Sequence, residues 1–218
     1  MSPMINTSFS NMSEYEKLVS RLEHIDRAFI IRRHLKLHYA KDMPKEATQQ
    51  YIKIVTKYRE FFNTYEESLL WFISVEIHSR FLAGSKKGLY QYICGLDDNI
   101  REKYKDKLSN LGHIHSDTIC YIKTQRNQFL AHADDVNWDK FPNVFDRELD
   151  NLISYLKKLV NQIGADTKEL RQVSTDQNLA AIQTNKLFDD LLLTLEPSCS
   201  VDKIRIVYNN GVKDFIKE

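Results

Sequence analysis

Arg126 and His132 stand six residues apart in the chain, and their side chains are of types suited to cleaving a phosphodiester. Histidine titrates near neutral pH, so it can remove the proton of a ribose 2′-hydroxyl or deliver one to the leaving 5′ oxygen. The transition state carries extra negative charge, which a forked, permanently charged guanidinium can stabilise by paired hydrogen bonds. The chemistry of this pair therefore suits RNA and requires no metal ion.

The spacing of the two residues is not specific by itself, because the chain has seven histidines and many arginines. About one such pair is expected by chance. The first helix contains similar pairs: Arg27 with His34, and Arg32 or Arg33 with His38. The later pair differs in its neighbours, since Asn127 directly follows the arginine and the small residues Ala131 and Ala133 flank the histidine.

The direction of Arg126 on its helix is also informative. The arginine continues a row of apolar residues at alternating steps of three and four: Ile119, Ile122, Phe129 and Ala133. An unpaired charge in such a row is costly, so the guanidinium needs a carboxylate partner, a cleft or a subunit interface. His132 projects about 120° away from Arg126 on an ideal helix. The two side chains can meet only if the helix bends or ends near Ala131, or if two copies of the chain face each other across a dimer axis.

Helical periodicity extends over most of the chain, and six glycines and four prolines are few enough to favour long helices. The capping-box pair Ser13 and Glu16 predicts a helix over 13–39. A second helical region, either two helices or one kinked near Thr64, is predicted over 45–82. Further helices are predicted over 89–94 and 97–108, then from Ser116 or Asp117 through the motif, and over 145–163 and 179–195. Gly112 is expected to open a linker, and Gly164 to end its helix.

The pattern predicts an all-α fold, an antiparallel helical bundle with a helical C-terminal extension. We place the bundle in residues 1–164 and the extension in residues 165–218, after a polar linker that begins at Ala165. The last stretch, 197–218, fits a helix better than the hairpin that Asn210 and Gly211 could close.

Composition limits the classes of protein to consider. The chain has 218 residues, 42% hydrophobic and 28% charged, as in an ordinary globular protein. A net charge of +1 provides no global basic field, so any contact with RNA must use a local patch. Three widely spaced cysteines are typical of reduced thiols, and no membrane-spanning or signal segment is evident. We therefore expect a cytoplasmic protein with no membrane partner.

The segment from Arg126 to Asp134, within an all-helical chain, resembles the motif of HEPN domains: arginine, a polar residue, three to five more residues, then histidine. The residue sequence of the segment is most similar to that of the bacterial abortive-infection branch of the superfamily. The resemblance implies a metal-independent endoribonuclease whose composite active site takes residues from two protomers. It also implies RNA as substrate, a homodimer, and a possible antitoxin or regulatory protein in phage defence or a toxin–antitoxin system.

The same resemblance assigns roles to residues. Arg126 and His132 would be the catalytic pair, and Asn127 would support them by orienting the histidine or a phosphate oxygen. The chain departs from one branch of the superfamily, in which a tyrosine stands two residues after the histidine. Asp134 occupies that place here, which argues against the control by a partner nucleotidyltransferase that this branch uses.

Two other interpretations of the motif remain open. Arg126 could form a salt bridge within the bundle, with His132 stabilised at the C-terminal end of its helix by the helix dipole. The protein would then be a non-catalytic helical module that binds RNA, a nucleotide or a partner protein, or else a purely structural interaction protein.

A local basic patch at the end of the first helix, together with an aromatic residue after the motif, is a candidate RNA-binding surface: Arg32, Arg33, Lys36 and Trp138. A solvated helix face and a lid over the core are the alternative interpretations of these residues. His113, His115 and Asp117, with His78 or His132, are a poor metal site, because histidines two positions apart do not share a helix face and no carboxylate follows at His-x-x-Glu spacing. We expect neither a metal ion nor a cofactor.

Overall fold

The chain folds into helices throughout the part that the structure, a computed structural model, describes. That part comprises residues 12–37, 45–82, 88–130 and 146–174, together with 180, 182–184, 186, 187 and 190. The helices are α1 (Glu14–Leu37), α2 (Lys45–Lys57), α3 (Arg59–Arg80), α4 (Leu89–Cys94), α5 (Asp98–Ile114), α6 (Ser116–Leu130) and α7 (Asp146–Thr167). The predicted all-α helical bundle is confirmed, and the described residues contain no β-strand.

The start of α1 is set by its own sequence. The Ser13 hydroxyl accepts a hydrogen bond from the Glu16 amide at 3.1 Å, and the Ser13 amide donates to the Glu16 carboxylate at 2.9 Å. This reciprocal arrangement satisfies amide groups that have no partner within the helix, and it confirms the predicted capping box. The predicted apolar row of α1 is buried: Tyr15, Leu18, Leu22, Ile25 and Phe29.

The described chain divides into two compact units. The first consists of Met1–Asp26 and Trp71–Thr175, and the second of Arg27–Leu70 and Asp176–Glu218. Helices α1 and α3 each contribute residues to both. The boundary between residues 164 and 165 that the sequence indicated stays a prediction, as does the conformation of residues 197–218, which lie outside the described part. Residues 180, 182–184, 186, 187 and 190 are helical, as expected for that region.

Helix α7 supplies much of the core of the first unit. One face of it is buried along its length: Leu149, Leu152, Ile153, Leu156, Leu159, Val160 and Ile163. Removing these side chains from water is the main force that holds such an amphipathic helix in place. The helix does not end at Gly164 as predicted, but continues to Thr167.

Gly164 serves packing instead of helix termination. A Cβ atom at this position would overlap the hydroxyl group of Tyr15, whose side chain is buried and donates a hydrogen bond to the Val160 carbonyl at 3.2 Å. The helix ends at Lys168, which has a φ of 60°, with hydrogen bonds from the Lys168 amide to Ala165 and from the Glu169 amide to Gly164. This is a Schellman motif with lysine in the left-handed position.

Two other predicted boundaries are wrong in detail. Gly112 does not open a linker, because α5 continues through it to Ile114. The break in the second helical region falls at Tyr58 and not near Thr64. None of the described helices is both long and apolar enough to cross a lipid bilayer.

Candidate functional site

Helix α6 positions the predicted catalytic arginine beside α3, within the first unit. Ile119 and Ile122 on α6 are buried, and Arg126 continues their row one turn further on. The arginine side chain is half-buried, as expected for a charged residue in line with an apolar face. Arg126 therefore lies in line with the apolar row of α6, as its spacing in the sequence predicted.

The group that meets the Arg126 guanidinium is the imidazole of His78 on α3. Nη1 of Arg126 lies 2.9 Å from Nδ1 and 3.2 Å from Nε2 of His78. An arginine has only donors, so the histidine must supply an unprotonated nitrogen to accept the hydrogen bond. Among the described residues, no carboxylate forms an ion pair with Arg126, and its Nε is buried with no hydrogen-bond partner.

The surroundings of His78 favour its neutral form. Burial lowers the pKa of His78 below its ordinary value of 6.5, and the positive charges of Arg126 and Lys123 lower it further. Burial penalises the imidazolium, and both cations repel it. At neutral pH the ring is therefore an uncharged acceptor for Arg126. The guanidinium is permanently charged, and no carboxylate among the described residues is paired with it.

The other predicted catalytic residues have different positions. Asn127 lies on α6 with an exposed side chain, directly after the arginine. Helix α6 is described as far as Leu130, two residues before His132. His132, Asp134 and Trp138 lie outside the described residues, so the pairing of Arg126 with His132 stays a prediction.

The candidate RNA-binding residues on α1 belong to the second unit. Arg32 is buried, and its guanidinium lies 3.4 Å from the carboxylate of Glu66. Arg33 is half-buried, and the side chain of Lys36 is not among those described. The RNA-binding role of this group stays a prediction, and the buried ion pair of Arg32 lends it no support.

The histidines considered for a metal site have ordinary surroundings. The His115 ring packs edge-on against Tyr155, with ring centroids 5.6 Å apart, and burial lowers the pKa of His115. His113 is exposed on α5. Across the described ranges, no three His, Cys, Asp or Glu side chains form a group that could hold a metal ion.

His78 is the member of the site that the motif did not reveal. It stands 48 residues before Arg126 and carries no motif of its own. The sequence indicated His78 as an optional member of a weak metal site, and the arginine in an apolar row was expected to meet a carboxylate, a cleft or a subunit interface. Ile77 beside it is fully buried, which shows how closely this turn of α3 approaches the core.

Comparisons of the chain with protein-family models, with curated proteins and with solved structures give no match.

Proposed function

We propose that the protein is a metal-independent endoribonuclease of HEPN type, in which Arg126 binds the phosphate under attack. The observation that carries the proposal is the contact of Arg126 with a neutral histidine, 2.9 Å away, instead of a carboxylate. A structural arginine in a half-buried position is ordinarily neutralised by an acid, because an uncompensated charge there is costly. A charge held without one is available to an anion.

The contact with His78 also orients the guanidinium. A long arginine side chain loses rotamer freedom when it binds a ligand, and a prior hydrogen bond reduces that loss. In the reaction, the ribose 2′-oxygen attacks phosphorus and the bond to the 5′ oxygen breaks, leaving a 2′,3′-cyclic phosphate and a 5′-hydroxyl. Arg126 stabilises the charge that develops on the phosphoryl oxygens. His132 transfers a proton, and Asn127 supports the histidine or a phosphate oxygen.

The composite site requires two copies of the chain. Arg126 and His132 diverge by about 120° on one ideal helix, and of the two ways in which they can meet this proposal takes the pairing of the arginine of one protomer with the histidine of its partner. The homodimer, the RNA substrate, a possible antitoxin or regulatory protein, a cytoplasmic location and a role in phage defence or a toxin–antitoxin system all belong to the proposal.

The test is an RNA cleavage assay with the purified full chain, a chelator, and end-labelled single-stranded RNAs including tRNA. The variants are Arg126→Ala and His132→Ala. Arg147→Ala and His113→Ala are matched controls, because both residues are exposed on other helices. Circular dichroism and light scattering check the fold and the oligomeric state.

Cleavage in the presence of chelator, with cyclic phosphate ends and lost only in the Arg126 and His132 variants, is the expected result. Cleavage that survives His132→Ala would remove the histidine from the mechanism. RNA binding without cleavage by a folded, dimeric wild type would favour the non-catalytic binding module instead.

A further inference from the structure

A cavity of about 770 Å³ lies within the first unit, away from the motif. One wall is a single face of α1, since Glu14, Lys17, Leu18 and Arg21 stand at helical spacings of three, four and seven. The volume falls within the usual range of ligand sites, roughly 300–1,000 Å³.

The opposite wall is formed by the end of α3 and by α4. A Cβ atom on Gly88 would overlap the backbone carbonyl of Arg80, so only glycine lets the start of α4 lie against the end of α3. This close approach places Arg80 and Tyr92 on the same cavity. The packing of these two elements thus depends on a residue that has no side chain.

The lining residues include three cations, Lys17, Arg21 and Arg80, and one carboxylate, Glu14, while the Glu76 carboxylate beside Arg21 adds a further negative charge. Lys17 pairs with Glu14 at 2.6 Å, but the glutamate side chain is 76% exposed and such a pair contributes little to stability. A ligand phosphate can therefore bind the ammonium group at small cost. A guanidinium has five N–H donors, so Arg21, which lies 3.7 Å from Glu76, can also bind phosphate oxygens.

The rest of the lining is apolar or aromatic. Leu18 is buried and Leu96 half-buried, and the Tyr92 ring packs against that of Tyr15 with centroids 5.8 Å apart. The Tyr92 hydroxyl donates to the Glu169 carboxylate at 3.3 Å, which fixes the ring. Burial raises the pKa of Tyr92, so the phenol itself is uncharged at neutral pH, and the negative charge at this wall is that of the Glu169 carboxylate which accepts its hydrogen bond. A fixed aromatic ring beside cations suits a ligand with a flat body and a phosphate.

We propose that this cavity is a second binding site, for a phosphorylated small molecule with a flat aromatic ring, such as a nucleoside monophosphate. The site is separate from the proposed ribonuclease site. His78 and Arg80 are two residues apart on α3, so they project about 200° from each other. The cavity and the His78–Arg126 pair therefore use different sides of that helix, and the two proposals stand or fall independently.

Isothermal titration calorimetry of the full chain tests the site with adenosine monophosphate, adenosine and inorganic phosphate. The variants Lys17→Gln and Arg80→Gln remove one cation each. Lys158→Gln and Arg147→Gln are matched controls, because both residues are exposed on α7 and do not line the cavity. Each cavity variant should weaken binding of the nucleotide by about tenfold or more, since hydrogen bonds to charged groups are the strong ones. The controls should leave it unchanged.

Adenosine and inorganic phosphate should each bind more weakly than the nucleotide, because each lacks one half of the ligand. Equal binding of adenosine and adenosine monophosphate would overturn the proposal, as would unchanged nucleotide affinity in both cavity variants. Absence of binding by all three probes at millimolar concentration would also overturn it. If Arg80→Gln lowers the melting temperature, the result with Lys17→Gln is used instead, since the Lys17 side chain is 36% exposed.

Two further experiments identify the source of the ligand and distinguish the cavity from the proposed ribonuclease site. Short oligoribonucleotides with and without a 5′-phosphate distinguish a strand end from a free nucleotide: tighter binding of the phosphorylated strand than of the mononucleotide assigns the site to RNA ends. Arg126→Ala should abolish RNA cleavage while leaving nucleotide affinity unchanged. A parallel loss of both would show a single shared site and overturn the assignment of a second one.

Discussion

Nη1 of Arg126 lies 2.9 Å from Nδ1 of His78, so a guanidinium and an imidazole from α6 and α3 share one half-buried position. The arrangement depends on the protonation state of the histidine, because an imidazolium would offer the arginine only N–H donors and a like charge. Burial of the ring, followed by the charges of Arg126 and Lys123, keeps His78 neutral. The histidine can therefore accept the hydrogen bond of the arginine.

The first prediction concerns His78 as a positioning residue for the proposed ribonuclease. His78→Ala should lower kcat for RNA cleavage by about ten- to hundredfold. Without the histidine, Arg126 is displaced from the phosphate, and the rate of reaction falls steeply with such a displacement. KM should change less, since the charge of Arg126 remains. His78→Gln keeps a side-chain acceptor and should recover part of the rate. A rise in KM with kcat unchanged, or no recovery with glutamine, would contradict a positioning role.

The second prediction concerns pH. His78 has a lowered pKa in the folded protein, so the unfolded chain binds its proton first as the pH falls. The contribution of His78 to the free energy of unfolding is therefore present above its ordinary pKa of 6.5 and decreases as the pH falls below that value towards the lowered one. Urea unfolding of wild type and His78→Gln at pH about 7.5 and about 5.5 measures the difference.

His115 must be controlled in that experiment, because burial lowers its pKa as well and gives a slope of the same sign. The variant His115→Gln removes its share of the slope. An identical pH dependence in wild type and His78→Gln would show that the pKa of His78 is not lowered in the folded protein.

Local sequence signals predicted the helices better than they predicted the contacts between them. Ser13 and Glu16 are three residues apart, and the side chain of each accepts a hydrogen bond from the backbone amide of the other. Their spacing alone therefore predicts the start of a helix. The apolar row that includes Arg126 was equally visible, because it repeats within one helix. These features depend on neighbours within a turn or two.

The partner of Arg126 and the role of Gly164 depend on residues far away in the chain. His78 is 48 positions from Arg126, and Tyr15 is on a different helix from Gly164. A glycine near the end of a helical pattern usually ends the helix, and only the contact with Tyr15 shows that this one is required for packing. Sequence alone ranks the usual reason first and was wrong here.

The third prediction compares two glycines within helices. Gly164→Ala should lower the free energy of unfolding by about 2 kcal/mol, because its methyl group would displace the buried Tyr15 ring. Gly112→Ala should raise it by about 0.5–1 kcal/mol, since no atom lies near that position and alanine is the better helix former. Urea unfolding measures both. In a Tyr15→Phe background, Gly164→Ala should cost less, and an unchanged cost would exclude the hydroxyl as the atom that is displaced.

The fourth prediction concerns the ion pair between Asp26 and Lys157, which lies within the first unit. Their charged atoms are 2.6 Å apart, and the aspartate side chain is only 4% exposed. Lys157→Met leaves the carboxylate buried without a cation, so it should lower the free energy of unfolding by about 3 kcal/mol. The exposed neighbour Lys158 provides the control, since Lys158→Met should change the free energy of unfolding by less than about 0.5 kcal/mol.

The double variant Asp26→Leu with Lys157→Met removes both charges and should recover most of the lost stability, because the cost comes from the unpaired charge. If the double variant is as unstable as Lys157→Met alone, the destabilisation instead comes from lost packing of the lysine stem.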